Sequence, residues 1–327
     1  VPKHVTVHRA WAMNARKSLS FFGRYPLLLA LPDRWQSWVI GGFLAAAKVF
    51  RTSRPDVIMS TYPIPTAHLL GYLLHRKFRL PWVAEFRDPM LQDNYPSSQL
   101  ERWAYGKLER AVLSNANEVV FTTEGCKGLY VDRYPWLEGS RVSVVSNGFD
   151  PSMFENLSSS PVRERSKRFV ILHSGVLYPK GRDPMALFEA IGKLKSAGYF
   201  DKRNVEFRFR ASGNEATYVT LIEEMGLAQL VTFRNRVSYS EAVQEMQDVD
   251  ALLILQGSTC NSQIPAKTYE YFNCGKPILA LTDSCGDTGA LLKSVGVTAI
   301  SPLDCPTKIE YALVDFLHRV ESGTSFI

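Results

Sequence analysis

The sequence predicts an α/β protein built from two parallel-sheet domains in tandem, and three observations carry that reading. From Pro55 onward, short apolar runs rich in β-branched residues alternate with longer helical patterns; a stretch poor in apolar residues interrupts them at 151–168; and the same alternation restarts after it. A chain of 327 residues, 46% hydrophobic and 21% charged, is long enough to bury a core in each half.

In order along the chain, VPKHVTVHRAW reads as a strand entered from something earlier. With no initiator Met, and with an end at HRVESGTSFI that lacks a closing element, it predicts a chain cut at both termini. Trp35 to Phe50 is a helix. Its length falls short of the roughly 20 apolar residues of a spanning segment, so core burial is preferred to membrane contact, with Lys48, Arg51 and Arg54 at the end where a helix dipole favours cations.

DVIMSTY (56–62), LPWVAEF (80–86), EVVFTT (118–123) and RVSVVSN (141–147) are apolar enough to be buried strands. Helices from Ala67 to His75 and from Gln99 to Ala116 lie between them, which implies parallel strands with right-handed crossovers in a Rossmann-like domain over 1–150. Ser, Pro and charge make 151–168 a linker.

From 169 to 327 the rhythm repeats. FVILHSG, EFRFRAS, VTFRN, ALLILQ and PILALT are strands, and helices open at Asp183–Pro184, span Glu215 to Gly226 and Ser240 to Gln247, and follow ALLILQ. Ligands of such sheets bind beyond the carboxyl ends of the strands, so the two sheets are expected to face an interdomain cleft.

Charge and cysteine content narrow the classes. Residues 1–150 hold 19 Lys and Arg against 12 Asp and Glu, about +7 of a total of +6, so the remainder is about −1. Such a half attracts phosphorylated substrates, anionic lipid or nucleic acid alike. Without interleaved basic and aromatic runs or a zinc-finger or helix-turn-helix spacing, nucleic acid is excluded as the expected partner. Cys126, Cys260, Cys274, Cys285 and Cys305 form no C-x-x-C pair and predict reduced thiols in a cytoplasmic setting.

IPAKTYEYFNCGKPIL (264–279) is the most informative stretch. Pro265 suits a helix's first turn, Gly275 its C-terminal stop, and Pro277 starts a strand. Lys267 and Glu270 then share a face with Tyr271. The helix N-terminus at Pro265 and Ala266 joins Lys267 to form a phosphate site, and Glu270 one turn deeper accepts ribose hydroxyls. The plain reading of the same spacing is a surface ion pair worth a few tenths of a kcal/mol.

FVILHSGVLYPKGRDP (169–184) gives a strand, a turn at Gly175 where backbone can approach a ligand, then a helix capped by Asp183 with Pro184 in its first turn. Lys180 and Arg182 make the turn basic. EFRDPM (85–90) brings Asp88 to the carboxyl end of a strand, where it either caps a turn or orients an acceptor hydroxyl. His68, just after DVIMSTY, is either packed or in the cleft. Asp248-Val249-Asp250 spells a D-x-D metal string, yet it joins a helix end to a buried strand, and no metal is expected.

These segments resemble the retaining GT-B glycosyltransferases of the family 4-like, bacterial surface-polysaccharide type. The resemblance is carried by 264–279 and 171–184 and extends to EFRDPM, the NG-x-D turn of VSNGFDPSMF and the segment 236–255. It implies transfer of a hexosyl group from a nucleoside diphosphate sugar to an acceptor hydroxyl with retention, without a metal or other cofactor.

It also implies roles. Lys267 contacts the leaving diphosphate, with Gly175, Pro265 and Ala266 around it, and Arg182, with Lys180 second, is expected to supply the charge of the family Arg that is missing here. Glu270 holds the ribose, Val237 lies in the loop that receives the base, and Asp88 serves the acceptor; His68 is placed with it only by its position after a strand, where cleft residues are expected. Two family charges are replaced, a Glu by Ser262 and an Arg after the glycine by Val176. The basic first half then suits a lipid-linked or saccharide acceptor at the cytoplasmic face of an anionic membrane, in surface polysaccharide or glycolipid synthesis. A GT-B sugar-nucleotide epimerase or a non-catalytic nucleotide-sugar-binding subunit are the alternatives.

Overall fold

The computed structural model describes residues 4–18, 30–93, 95–137, 141–155, 168–178, 181–213 and 215–323. Its contacts divide the chain into two units, Val1–Ser146 and Asn147–Ile327, so the NG-x-D turn belongs with the second unit.

The first unit holds a four-stranded parallel sheet in the order β1-β2-β3-β4, formed by Ile58–Thr61, Trp82–Phe86, Glu118–Phe121 and Val142–Val144. Helices α3 (Pro65–Phe78), α4 (Gln99–Asn115) and α5 (Glu124–Arg133) make the crossovers. Pro at the first turn starts α3, and the Ser98 and Thr123 hydroxyls cap α4 and α5 by accepting from backbone N–H groups, as short polar side chains at that position do. Trp82, Phe86, Met90, Phe121 and Tyr130 are fully buried in its core.

The opening segment is a correction. Residues 5–14 join no sheet; they are irregular backbone, with Trp11 backbone lying where a side chain at Gly41 would have to go. Helix α2 (Trp38–Thr52) forms where expected, but only one side of it is buried. Trp38, Phe43, Ala46 and Phe50 pack on the core, while Ile40 and Leu44 stay 64% and 66% exposed. The short helix α1 (Ala15–Ser18) precedes it.

The second unit carries a six-stranded, all-parallel sheet in the order β10-β9-β8-β5-β6-β7. The strands are β5 (Phe169–Ser174), β6 (Val205–Arg210), β7 (Val231–Arg234), β8 (Ala251–Leu255), β9 (Ile278–Leu281) and β10 (Ile300–Ser301). Every residue of β8 and β9 is buried, as central parallel strands covered on both faces require. Their two faces make two separate cores.

The helices of this unit are α6 (Ser152–Glu155), α7 (Met185–Ser196), α8 (Glu215–Glu224), α9 (Tyr239–Asp248), α10 (Ala266–Cys274), α11 (Asp287–Ser294) and α12 (Pro306–Glu321). Helix α6 lies inside the stretch read as linker, whose residues 156–167 are outside the described ones. Among the described residues no helix is long and apolar enough to cross a membrane, and all five cysteines are free thiols.

Candidate donor site in the second unit

The site is built at the carboxyl end of β5. Helix α10 starts at Ala266 with Pro265 as its N-cap, one residue from the sequence expectation, and stops at Gly275 with φ 60°. Lys267 and Tyr271, one turn apart, both reach back to the last residue of β5. Lys267 Nζ donates to the Ser174 carbonyl at 2.6 Å, and Ser174 N–H donates to the Tyr271 hydroxyl at 3.1 Å.

The next residue, Gly175, has φ 141°, and a Cβ there would overlap Lys267 Nζ. Glycine is needed at that position on both counts: the left-handed backbone and the close approach of the lysine.

Lys267 and Glu270 do not pair, so the plain surface-ion-pair reading fails. Glu270 Oε1 instead accepts from the Tyr239 hydroxyl at 2.8 Å, and Lys267 is bonded to a neutral carbonyl. Although Lys267 keeps some accessible surface, burial pushes its pKa down to about 7, and Arg182 lowers it further against the smaller opposing pull of Glu270. Two cations are thus held close enough to repel, beside a helix N-terminus. That arrangement is relieved by an anion.

Arg182 lies over the Tyr178 ring at 5.6 Å. Asp183 accepts from Met185 N–H at 3.1 Å, so Pro184 is the N-cap of α7, again one residue from expectation. Lys180 lies outside the described residues. The 175–184 loop is pinned where Gly257 N–H donates to Gly181 O at 2.7 Å. There a Cβ on Gly257 would sit 3.3 Å from the Gly181 Cα.

Val237 is partly exposed in the loop before α9. A charged network fixes that loop: Arg210 donates to Asn235 O at 2.7 Å and pairs with Glu245 of α9 at 2.7 Å, while Arg208 bridges Glu245 and Glu206. The Ser238–Glu241 capping box then starts α9 and presents Tyr239 toward Glu270. Partial burial and the Glu270 bond push the Tyr239 phenol up to about 12.

Tyr239 and His173 were not singled out in the sequence. His173 is fully buried in β5, with Nδ1 donating to Leu253 O at 2.9 Å. Burial, then Lys267 and Arg182, hold it neutral. Neither carries a local signal, because both are placed by contacts between distant strands and helices.

The D-x-D carboxylates diverge. Asp250 accepts from Val170 N–H at 2.8 Å and Asp248 from Gln244 at 3.0 Å. A cavity of about 610 Å³ lies beside Gly181 and Gly257, but Asp183, Glu189, Asp283 and Asp304 line it, which suits a diphosphate poorly.

In the first unit Asp88 leaves β2 on a loop held from several sides. Thr122 donates to Arg87 O, Met90 N–H donates to the Tyr130 hydroxyl at 3.0 Å, and Arg133 donates to Leu91 O. Tyr130 and Tyr134 both donate to the buried Glu109, which also pairs with Arg133 at 3.0 Å. Asp88 acts electrostatically on Tyr62, as do Tyr95 and Asp33.

His68 is a correction. It is fully buried between Tyr62 and Phe86, its Nδ1 accepts from Ser60, which itself accepts from Trp82, and burial pushes its pKa down to about 3. It packs in the core of the first unit, away from solvent.

Comparison with known proteins supplies the frame for these sites. The family of the glycosyl transferase 4-like domain matches residues 1–148. The chain is similar in structure to Anabaena HepE, solved with UDP and glucose, at TM-score 0.64 and 19% identity over 86% of this chain and 74% of that one. The chain has the GT-B fold. WaaG, a glycosyltransferase of lipopolysaccharide biosynthesis, aligns with this GT-B chain at TM-score 0.59 and 14% identity, over 80% of this chain and 75% of WaaG. A UDP-N-acetylglucosamine 2-epimerase aligns at 0.51 and 13%, over 88% and 70%. No curated protein sequence matches the chain significantly.

Proposed function

We propose that this GT-B chain is a metal-independent, retaining hexosyltransferase that binds a nucleoside diphosphate sugar, with UDP the first base to test, in its second unit. The observation that carries the reading is Lys267 at the end of β5, donating to the neutral Ser174 carbonyl with Arg182 nearby and, among the described residues, no carboxylate bonded to it; burial and Arg182 push its pKa down to about 7. An anion there restores the lysine's charge and gains from both cations and the α10 N-terminus. As the sugar departs, charge grows on the diphosphate, and groups already oriented toward it lower the barrier without reorganising. The leaving phosphate takes the acceptor's proton.

Glu270 receives ribose hydroxyls on its carboxylate, the loop at Val237 receives the base, and Asp88 orients the acceptor hydroxyl. The solution of HepE with UDP and glucose supports a UDP-sugar donor. On α2 the exposed stripe Ile40, Leu44, Lys48 and Arg51 supports contact with an anionic bilayer at its cytoplasmic face, where a lipid-linked acceptor for surface polysaccharide or glycolipid would sit.

The test is titration of UDP, GDP and ADP without and with Mn²⁺, followed by anomeric NMR of any transfer product. Selective metal-independent binding lost in Lys267→Ala and Glu270→Ala, with an axial-to-axial or equatorial-to-equatorial outcome, is expected. No nucleotide bound to folded protein sinks the proposal. Release of an altered nucleotide sugar without acceptor would instead mark an epimerase, and binding without turnover a non-catalytic subunit.

A further inference from the structure

A cavity of about 150 Å³ lies at the opposite end of α10 from Lys267, between the last turn of α10, the entry to β9 and the turn that ends α11. None of the roles above uses it. Tyr271, Ile278 and Val297 are its buried walls, and Phe272 and Val295 are half-buried. Gly275 is exposed, and a Cβ there would meet nothing within 4 Å, so the cavity opens to solvent on that side.

Backbone geometry holds the walls apart. Helix α11 ends with Val297 N–H donating to Leu292 O at 2.9 Å and Gly296 N–H to Lys293 O at 3.0 Å, with Gly296 at φ 85°. That pair of bonds around a left-handed glycine closes the helix and fixes Val295 and Val297. Helix α10 stops at Gly275 with φ 60°, and β9 begins at Ile278. Interiors are close-packed, with few voids larger than a water molecule, so a space of this size between fixed turns departs from ordinary packing.

The lining says what fits. Its only polar side chains are Lys276 and Tyr271, and the Tyr271 hydroxyl is already bonded to Ser174 N–H, so there are too few partners to hold water. The C-termini of α10 and α11 both come to the cavity, and their partial negative charge opposes an anion, while Lys276 opposes a cation. Apolar cavities of about this size stay dry and take up benzene. We infer that this cavity is a binding site for an uncharged apolar molecule the size of one six-membered ring. Tyr271 joins it to the β5 corner, because the residue that lines the cavity also holds Ser174. On the donor reading above, and only there, an occupant also braces the corner that receives the diphosphate.

Methyl and amide NMR of the full chain tests this with toluene as probe, and with benzoate and benzylamine as its charged counterparts. Saturable shifts of the Ile278, Val295 and Val297 methyl groups are expected, half-complete at about 1 mM or below, with the charged pair roughly tenfold weaker or more. Val295→Phe, which fills the cavity from its half-buried side, should weaken toluene by a similar factor. The Ser174 amide should shift along the same saturation curve, and Tyr271→Phe should lose that response while keeping the methyl shifts. No saturable methyl shift, a charged probe binding as tightly as toluene, or unchanged toluene binding in Val295→Phe folded by circular dichroism, each overturns the site. A Ser174 amide unmoved at saturating toluene overturns its link to the corner. None of these measurements involves a nucleotide, so they succeed or fail independently of the donor site, which UDP titration tests.

Discussion

Lys267 gives the sharpest test of the donor site, because its charge state must change when a diphosphate arrives. With a pKa near 7, the ligand-free lysine is about 0.9 protonated at pH 6 and about 0.1 at pH 8. An adjacent diphosphate favours the charged form and raises the pKa by about two units or more. Binding a UDP-sugar, whose diphosphate diester does not titrate in this range, should therefore take up about 0.1 proton at pH 6 and about 0.8 at pH 8. Affinity should fall roughly tenfold over the same interval, about 1.4 kcal/mol. Calorimetry of UDP-glucose in buffers of different ionisation enthalpy reads the proton count directly as a slope. Lys267→Met should bind weakly with a slope near zero at every pH. A zero slope at pH 8 in the wild type, or affinity constant from pH 6 to 8, would refute the assignment of Lys267 to the diphosphate.

The same lysine predicts a trade-off in stability. Its folded pKa lies below the ordinary value of 10.5, so between about 7 and 10.5 the unfolded chain holds a proton that the folded chain has lost, and stability rises with pH in that window. Lys267→Met, freed of this cost, should raise the ligand-free Tm at pH 7 by several degrees; a lowered Tm would mean the Ser174 bond outweighs the burial cost. Gly175→Ala should lose about 1–3 kcal/mol in urea unfolding through its positive φ, and displace Lys267, so UDP affinity drops with it; full affinity would show that the turn is not part of the site. Tyr130→Phe leaves the buried Met90 N–H without its acceptor and removes one donor from Glu109, and should cost about 2–4 kcal/mol, checked by the shift in urea midpoint. Glu270→Ala should weaken UDP far more than 2′,3′-dideoxy-UDP, whereas Tyr239→Phe, removing a bond at an exposed edge, should change either by less than about tenfold; equal losses for both nucleotides would remove Glu270 from ribose recognition.

How much of this was legible in the sequence depended on whether the determinant was local. The strands ALLILQ and PILALT could be read because central parallel strands are apolar throughout, and the α10 boundaries because Pro265 and Gly275 punctuate it. β10 was not read, since two residues leave no periodicity. Residues 5–14 pair with no strand among the described residues, and a strand without a partner leaves its backbone groups to water. His68 illustrates the same limit at a site: position after a strand suggested the cleft, yet the α3 register turned the ring inward onto Ser60 and Phe86. Tyr239 was invisible because its meaning comes from Glu270, 31 residues away.

The way α10 grips β5 links the fold to the chemistry. Ser174 is held through its N–H by Tyr271 and through its carbonyl by Lys267, so the strand end, the Gly175 turn and the helix N-terminus form one rigid corner. Tyr271 is fully buried and can hold that corner alone. On the proposed function, Lys267 leaves the Ser174 carbonyl for a phosphate while Tyr271 keeps its hold on the turn. Burial and Arg182 depress the pKa of the unliganded lysine, and a neighbouring anion would oppose that shift. On that function, such a site selects its ligand by charge first, and the base is then read by the Val237 loop and the Arg210–Glu245 network behind it rather than by the cations.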